Sequence, residues 1–291
     1  MLKKPATAAI AVLPVIFCMQ AAQALPQGSS IALVPHRAVY DMSLKDALAA
    51  SNISDIRGRL VFDFAGSPCA GYTLKSRLVT EVVDREGNSS LTDLRSTTWE
   101  AHSGDRFRFE NSQFIGTQLN DQVSGNAVRG KGQKDLKIEL KEPNKQQLKL
   151  DGRALFPTQH SLAILTAAQS GEKVLQADIF DGSEQGDKLF KTTTFIGRPV
   201  IPVKLEGTPE ASYEEKLKGV TAWPVSISYF APPANPAQDD GLPVYELSFK
   251  LFANGVSKDL LIHYGTFMVN GTLAGVEYHE PESCPTAEAK K

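Results

Sequence analysis

Apolar side chains recur at every second position in one segment after another of this chain. Tyr40, Met42 and Leu44 do so, then Leu60, Phe62 and Phe64, then Tyr72, Leu74 and Leu78. Phe107 and Phe109 repeat the pattern, as do Leu136, Ile138 and Leu140, and later Val225, Ile227 and Tyr229. An alternation of two puts one set of side chains in a core and the other in water, which is the mark of half-buried antiparallel strands. Turn residues separate the segments, and roughly twelve to fourteen strands fit along the chain. One open sheet of that size must coil or close on itself. The fold class expected is therefore mainly β: a large antiparallel sheet wound into a spiral or half-open barrel. With 42% hydrophobic residues there is enough apolar side chain for its core.

One stretch breaks the rhythm, from Phe156 to Lys173. Thr158 is placed to cap a helix start and Gly171 a helix end, while Leu162, Leu165 and Ala168 recur at helical spacing. These signals predict one inserted helix over about Gln159 to Ser170, on the concave side of the sheet. There Leu162, Ile164 and Leu165 either fill the interior or line a cavity, and Trp99 is a further candidate for the lining. From Gly197 to Trp223 an irregular, proline-bearing excursion follows, and Ala231 to Gly241 reads as a polar loop. Near the end, Asn254-Gly255 and Asn270-Gly271 suit type I′ turns and predict a three-strand meander over about Val244 to Tyr278.

The first 24 residues read as an export signal: Lys3 and Lys4, an apolar run to Met19, and Ala22-Gln23-Ala24 as the cleavage site. The apolar run is short for a membrane span, and no later stretch is long enough either. Cleavage would leave residues 25–291 as one exported domain, with an ordered core over about 33–284. It would also remove two lysines and no acid, taking the net charge from −2 to −4. No basic run dominates, which argues against a nucleic-acid partner.

Cys18 would leave with the signal, so Cys69 and Cys284 remain. In an oxidising compartment two such cysteines pair, or else they rest as unrelated buried thiols. Pairing would make the start and end of the fold neighbours, because Cys69 sits in an early turn and Cys284 follows the last strand.

Motifs for chemistry are missing. Of His36, His102, His160, His263 and His279, none lies four residues from another, and there is no Cys-x-x-Cys, so no metal is expected. Asp178, Asp181, Glu184 and Asp187 crowd one region without the spacing of a calcium loop, and read as a solvated acidic turn. There is no nucleophile elbow, phosphate loop or dinucleotide fingerprint, so neither catalytic residues nor cofactors are assigned. His160-Ser161 reads as a helix surface pair, since neighbours on a helix point some 100° apart.

Several stretches together resemble a known family: "HRAVYDMSL" from His36, "CAGYTL" from Cys69, "FPTQH" from Phe156 and "FDGSEQGDK" from Phe180. "WPVSISYF" from Trp223 and "PVYELSFKLFANGVSKDLLIHYGTF" from Pro243 complete the set. In this order they are similar to the EipB family of periplasmic cell-envelope integrity proteins of Gram-negative bacteria. The resemblance implies a nearly closed β-spiral with a helix in its concave side, reminiscent of periplasmic lipoprotein carriers. It implies a disulfide, which maps onto Cys69 and Cys284, and a non-enzymatic role in envelope maintenance. The chain departs from the family in its longer, acidic excursion between Ile196 and Trp223. The expected function is a periplasmic binding protein that holds a lipid or lipoprotein acyl chain. A scaffold docking a periplasmic protein partner is the alternative, and a secreted hydrolase with a dispersed triad the third reading.

Overall fold

The described residues hold fourteen strands and the α-helix Pro157–Ser170, with helical residues also at 215–217. The structure, a computed structural model, describes residues 31–130, 132, 134–201, 215–232, 241–280, 282 and 284. The stretch read as an export signal, residues 202–214 of the excursion after Ile196 and most of the proline-rich loop after Ala231 lie outside the described residues.

In chain order the strands of the first half are β1 (His36–Ala47), β2 (Ile53–Ser67), β3 (Gly71–Asp84) and β4 (Ser89–Glu100). They continue with β5 (Arg106–Ile115), β6 (Gln118–Arg129), β7 (Asp135–Glu142) and β8 (Gln146–Asp151). Helix α1 (Pro157–Ser170) follows. The second half holds β9 (Val174–Ile179), β10 (Phe190–Ile196) and β11 (Ala222–Phe230). It ends with β12 (Tyr245–Phe252), β13 (Ser257–His263) and β14 (Phe267–Tyr278). All fourteen form one sheet, in the order β8-β7-β6-β5-β4-β3-β2-β1-β14-β13-β12-β11-β10-β9.

That order has a simple logic. The chain meanders outward from β1 to the edge strand β8, crosses by α1 to the other edge, and meanders back from β9 until β14 lies beside β1. Every neighbouring pair is antiparallel, and apart from β1/β14 every pair joins strands consecutive in the chain, so the sheet is two meanders that meet at β1 and β14. The β1/β14 ladder runs from His36 opposite Tyr278 to Ala47 opposite Phe267. Start and end of the fold are thus hydrogen-bonded neighbours, and the disulfide Cys69–Cys284 sits beside that seam with a Cα–Cα distance of 5.6 Å. The other seam is far weaker. The ladder stops at β8 and β9, so the sheet is not closed into a barrel. Among the described residues the backbone bridge across this seam is made by Leu155, just past β8: its N–H donates to the Asp178 carbonyl (2.7 Å), and its carbonyl accepts from the Phe180 N–H (2.9 Å).

The alternation is realised residue by residue. On β1 the side chains of His36, Ala38, Tyr40 and Met42 are buried while Arg37, Asp41 and Ser43 are exposed. Register carries the same face across the sheet: Tyr40 lies opposite Leu60 on one side and Leu273 on the other. A core cluster of Ala38, Tyr40, Met42, Leu273 and Val276 also takes in Leu217, so the end of the excursion packs into the sheet. Phe107, Phe109, Ile138, Phe156 and Phe180 belong to a second cluster, over β5 to β7. The third gathers Ile164, Leu165 and Ala168 of α1 against Trp223, Val225 and Ile227 of β11.

Three local expectations are corrected. Helix α1 begins at Pro157, not Gln159, and its N-cap is Phe156 rather than Thr158. Of Asn254-Gly255 only the glycine has positive φ (91°), so the turn is not type I′. It is a three-residue loop, with the Gly255 N–H donating to the Phe252 carbonyl (2.9 Å) and the glycine left-handed. Asn270-Gly271 is not a turn at all but lies inside β14, opposite Ser43 and Met42. Gly271 is there because a Cβ would stand 3.0 Å from both the Leu260 Cβ and the Met42 Sδ. The turn into β14 is Tyr264-Gly265-Thr266 instead.

Candidate functional site

The inner face of the sheet does not fill its own interior. A cavity of about 380 Å³ remains between β1 to β3 on one side, β11 to β13 on the other, and the first two turns of α1. Its wall is mostly aliphatic and aromatic, with Leu60, Phe62, Phe64 and Leu74 facing Ile227, Leu247, Phe249 and Ile262. All of these come from one face of one sheet, which has to curl for them to meet across a space. The volume lies within the range of small-molecule sites, and so does the apolar wall with a few polar groups.

Helix α1 supplies Pro157, Thr158, His160, Ser161 and Ile164 to the wall. Its position is set by a clamp at its start. Glu100, at the end of β4 and 3% exposed, accepts the backbone N–H of Thr158 (2.8 Å) and of Gln159 (3.0 Å). A carboxylate on two orphan donors at a helix N-terminus does the work of an N-cap side chain, and the Gln159 Oε1 accepts the Phe156 N–H (3.2 Å) beside it. Arg129, at the end of β6, donates to the Gln159 Oε1 (3.2 Å), to the Gly104 carbonyl (2.8 Å) and to the Gly152 carbonyl, and lies over the Phe156 ring. Burial pushes the Glu100 carboxyl up to about 7, against the pull of its N–H donors and of Arg129.

Few polar groups face the cavity. His36 is buried, with Nδ1 2.7 Å from the Val34 carbonyl oxygen, and burial lowers its pKa. The Tyr40 hydroxyl donates to the Ser257 carbonyl (2.8 Å). Asp181 accepts the Ser183 N–H (2.9 Å), and burial raises its pKa. Tyr229 stacks on Tyr245 with ring centres 4.4 Å apart, and burial raises both phenols. His160 is 5% exposed, its Nε2 has no partner, and burial lowers its pKa to about 4. A second, more polar hollow lined by Ser76, Ser96, Asn111 and Gln113 shares Leu60 with the first.

The residues singled out from sequence are placed as follows. Cys69 and Cys284 are joined. None of Trp99, Leu162 and Leu165 is among the lining residues. Leu165 is fully buried in the cluster with Trp223. Leu162 is half-buried on a neighbouring side of α1. Trp99 follows the opposite parity to Thr98 and Glu100, donates to the Ala70 carbonyl (3.2 Å) and packs under Arg106 and Arg108. His160 and Ser161, expected as a surface pair, both face the cavity. The acidic turn is divided: Asp181 points inward, while Glu184 pairs with Lys188 at 2.7 Å. No metal-holding group of His, Cys, Asp and Glu occurs among the described residues, and no helix there is long and apolar enough to cross a membrane.

Comparison with known proteins adds three findings. A family model described as EipB-like matches residues 27–280. The chain is 37% identical over 261 residues to the cell envelope integrity protein EipB of Brucella abortus (strain 2308), covering 89% of each chain. A crystal structure of a β-barrel-like protein, a domain of unknown function from Brucella abortus, superposes with a TM-score of 0.77 at 35% identity. That match covers 86% of this chain and all of the other.

Proposed function

This chain belongs to the EipB-like family, and from that premise we propose that it is a periplasmic, non-enzymatic protein that supports cell-envelope integrity by holding the acyl chain of a lipid or lipoprotein in its cavity. The observation that carries the reading is the apolar hollow of about 380 Å³ along the inner face of the sheet. An apolar pocket of this size with a few polar groups has the character of a ligand site. The polar hydrogen-bonding groups in the wall are few and converge with the helix, which suits a ligand with one polar end. Native mass spectrometry of protein released from the envelope without detergent tests it. We expect a co-purified amphiphile of defined mass. Protein that is repeatedly bare, and that takes up no acyl compound afterwards, overturns the reading.

One observation favours docking of a protein partner as a second reading. Leu91, Ile115 and Leu119 are 48%, 46% and 52% exposed. They gather at one end of β4, β5 and β6, where the Gly116 N–H donates to the Leu91 carbonyl (2.8 Å). Crosslinking from this end in intact envelopes would report such a partner.

A further inference from the structure

The polar hollow, also of about 380 Å³, adjoins the apolar cavity. The two share Leu60. On β3 the successive inward side chains Leu74 and Ser76 divide between them, and so do Asp181 and Ser183 of the loop after β9. A ligand lying along the inner face of the sheet can therefore occupy both.

The hollow's polar groups stand where the alternation of the sheet calls for core. Ser76 on β3 lies between Phe62 on β2 and Ser96 on β4, and Ser96 lies opposite Asn111 on β5. In the next row Leu78, Leu94 and Gln113 follow one another, and Gln113 lies opposite Asp121 on β6. All share the face of Phe62 and Phe109, because a sheet has only two. Ser76, Ser96 and Asp121 are half-buried, and their side chains make no hydrogen bond with other described residues. Each lines the hollow, and none of their oxygens is closed off from solvent. Asn111 donates to the Gly182 carbonyl (2.8 Å), and the Gln113 Oε1 accepts from Asn120 (3.0 Å), which leaves the other end of each amide for a ligand.

Charge narrows the choice of head group. Arg95 is held by Asp93 at 2.7 Å and lies over the Phe114 ring, and Glu184 pairs with Lys188 at 2.7 Å. Asp121 has no ion pair among the described residues. An anionic head would lose hydration there, meet that carboxylate and find no free cation. An uncharged head with several hydroxyls finds donors and acceptors spread over β3 to β6, and Leu78, Leu94 and Val123 between them to pack on the C–H groups of a ring.

Resting on the reading of the cavity as an acyl-chain site, we propose that the polar hollow is the head-group subsite for the same ligand, and that it takes an uncharged polyhydroxyl head, a sugar ring joined to the chain. Displacement of the uncharged fluorophore N-phenyl-1-naphthylamine from the oxidised protein, near neutral pH, tests this. The competitors are n-decyl β-D-glucopyranoside and n-decylphosphocholine, equal in chain and each below its micelle concentration. The glucoside should displace the probe at a concentration about tenfold lower, the worth of one or two net hydrogen bonds. In the double variant Ser76→Val, Ser96→Val the two should compete within about threefold of each other. Probe affinity should be retained there, since neither serine lines the apolar cavity. Asp121→Ala should narrow the ratio in the same direction, and decides should the double variant not fold. Equal competition in the unaltered protein, tighter binding of the phosphocholine, or a glucoside preference that the variants leave unchanged overturns the sugar subsite while the acyl-chain reading stands. Failure of both compounds to displace the probe overturns the acyl-chain reading as well.

Discussion

Glu100 and His160 titrate in opposite senses at the same end of α1. The Glu100 carboxyl is raised from 4.5 to about 7, so the folded protein holds that proton more tightly than the unfolded chain. Its contribution is therefore full below about pH 4.5 and is lost as pH rises through 7. The His160 ring is lowered from 6.5 to about 4, so the folded state resists protonation. Its contribution is present above 6.5 and is lost as pH falls through 4. Each shift corresponds to about 3 kcal/mol over its window, and across the shared span the two slopes oppose each other. Denaturant melts at intervals from pH 4 to 8 should separate them. Glu100→Gln should lose stability on acidification relative to the unaltered protein, and His160→Asn should gain it. Parallel pH profiles for the two variants would show that neither group is held as described.

At the scale of elements, the strands were legible and the details of their joining were not. Alternation along Tyr40, Met42 and Leu44, or along Leu136, Ile138 and Leu140, names both the strand and its buried face, because a sheet has only two faces. The meander over Val244 to Tyr278 was likewise readable, yet its second turn was misplaced, since a close approach inside a strand can demand a glycine against the usual turn preference of Asn-Gly. What distinguishes the two is a tertiary fact, the nearness of Leu260 and Met42 to Gly271, which no local pattern encodes. Gly271→Val should accordingly cost about 1–3 kcal/mol by overpacking. Gly275, in the same strand, has open space where a Cβ would go, so Gly275→Val should leave the denaturation midpoint nearly unchanged. Equal effects of the two substitutions would refute the placement of Asn270-Gly271 inside β14. Ile164 and Leu165 were read correctly as facing inward, but the burial of His160 was missed for a related reason. His160, Ile164, Ala167 and Ala168 repeat at helical spacing as well as Leu162 and Leu165 do, but a histidine does not advertise burial. Nothing near Phe156 in sequence points to Glu100 as its cap, because the clamp spans 58 residues.

The whole molecule is held by two seams of unequal strength, and the disulfide belongs to the stronger. Beyond β14 the His279 N–H donates to the Pro35 carbonyl (2.9 Å), and the His279 Nε2 lies 3.1 Å from the Asp63 Oδ1. The tail thus crosses the ends of β1 and β2 on its way to the turn that holds Cys69. A bond between residues 215 apart in sequence removes unfolded-chain entropy worth on the order of 5 kcal/mol, an upper figure for what it adds. The β1/β14 ladder does not need that bond in order to form, since its hydrogen bonds and the buried Tyr40, Met42, Leu273 and Val276 hold it. Reduction should therefore lower the unfolding free energy by about 2–5 kcal/mol without opening the seam. Hydrogen exchange on the reduced, still folded protein should find the amides of β1 and β14 protected. The amides of Leu155 and Phe180, which bridge β8 and β9 by a single pair of bonds, should exchange first in both redox states. Coincident melts with and without reductant would remove the disulfide from the list of what stabilises the fold. Loss of protection in β1 and β14 on reduction would show instead that the bond, not the ladder, keeps the two ends of the chain together.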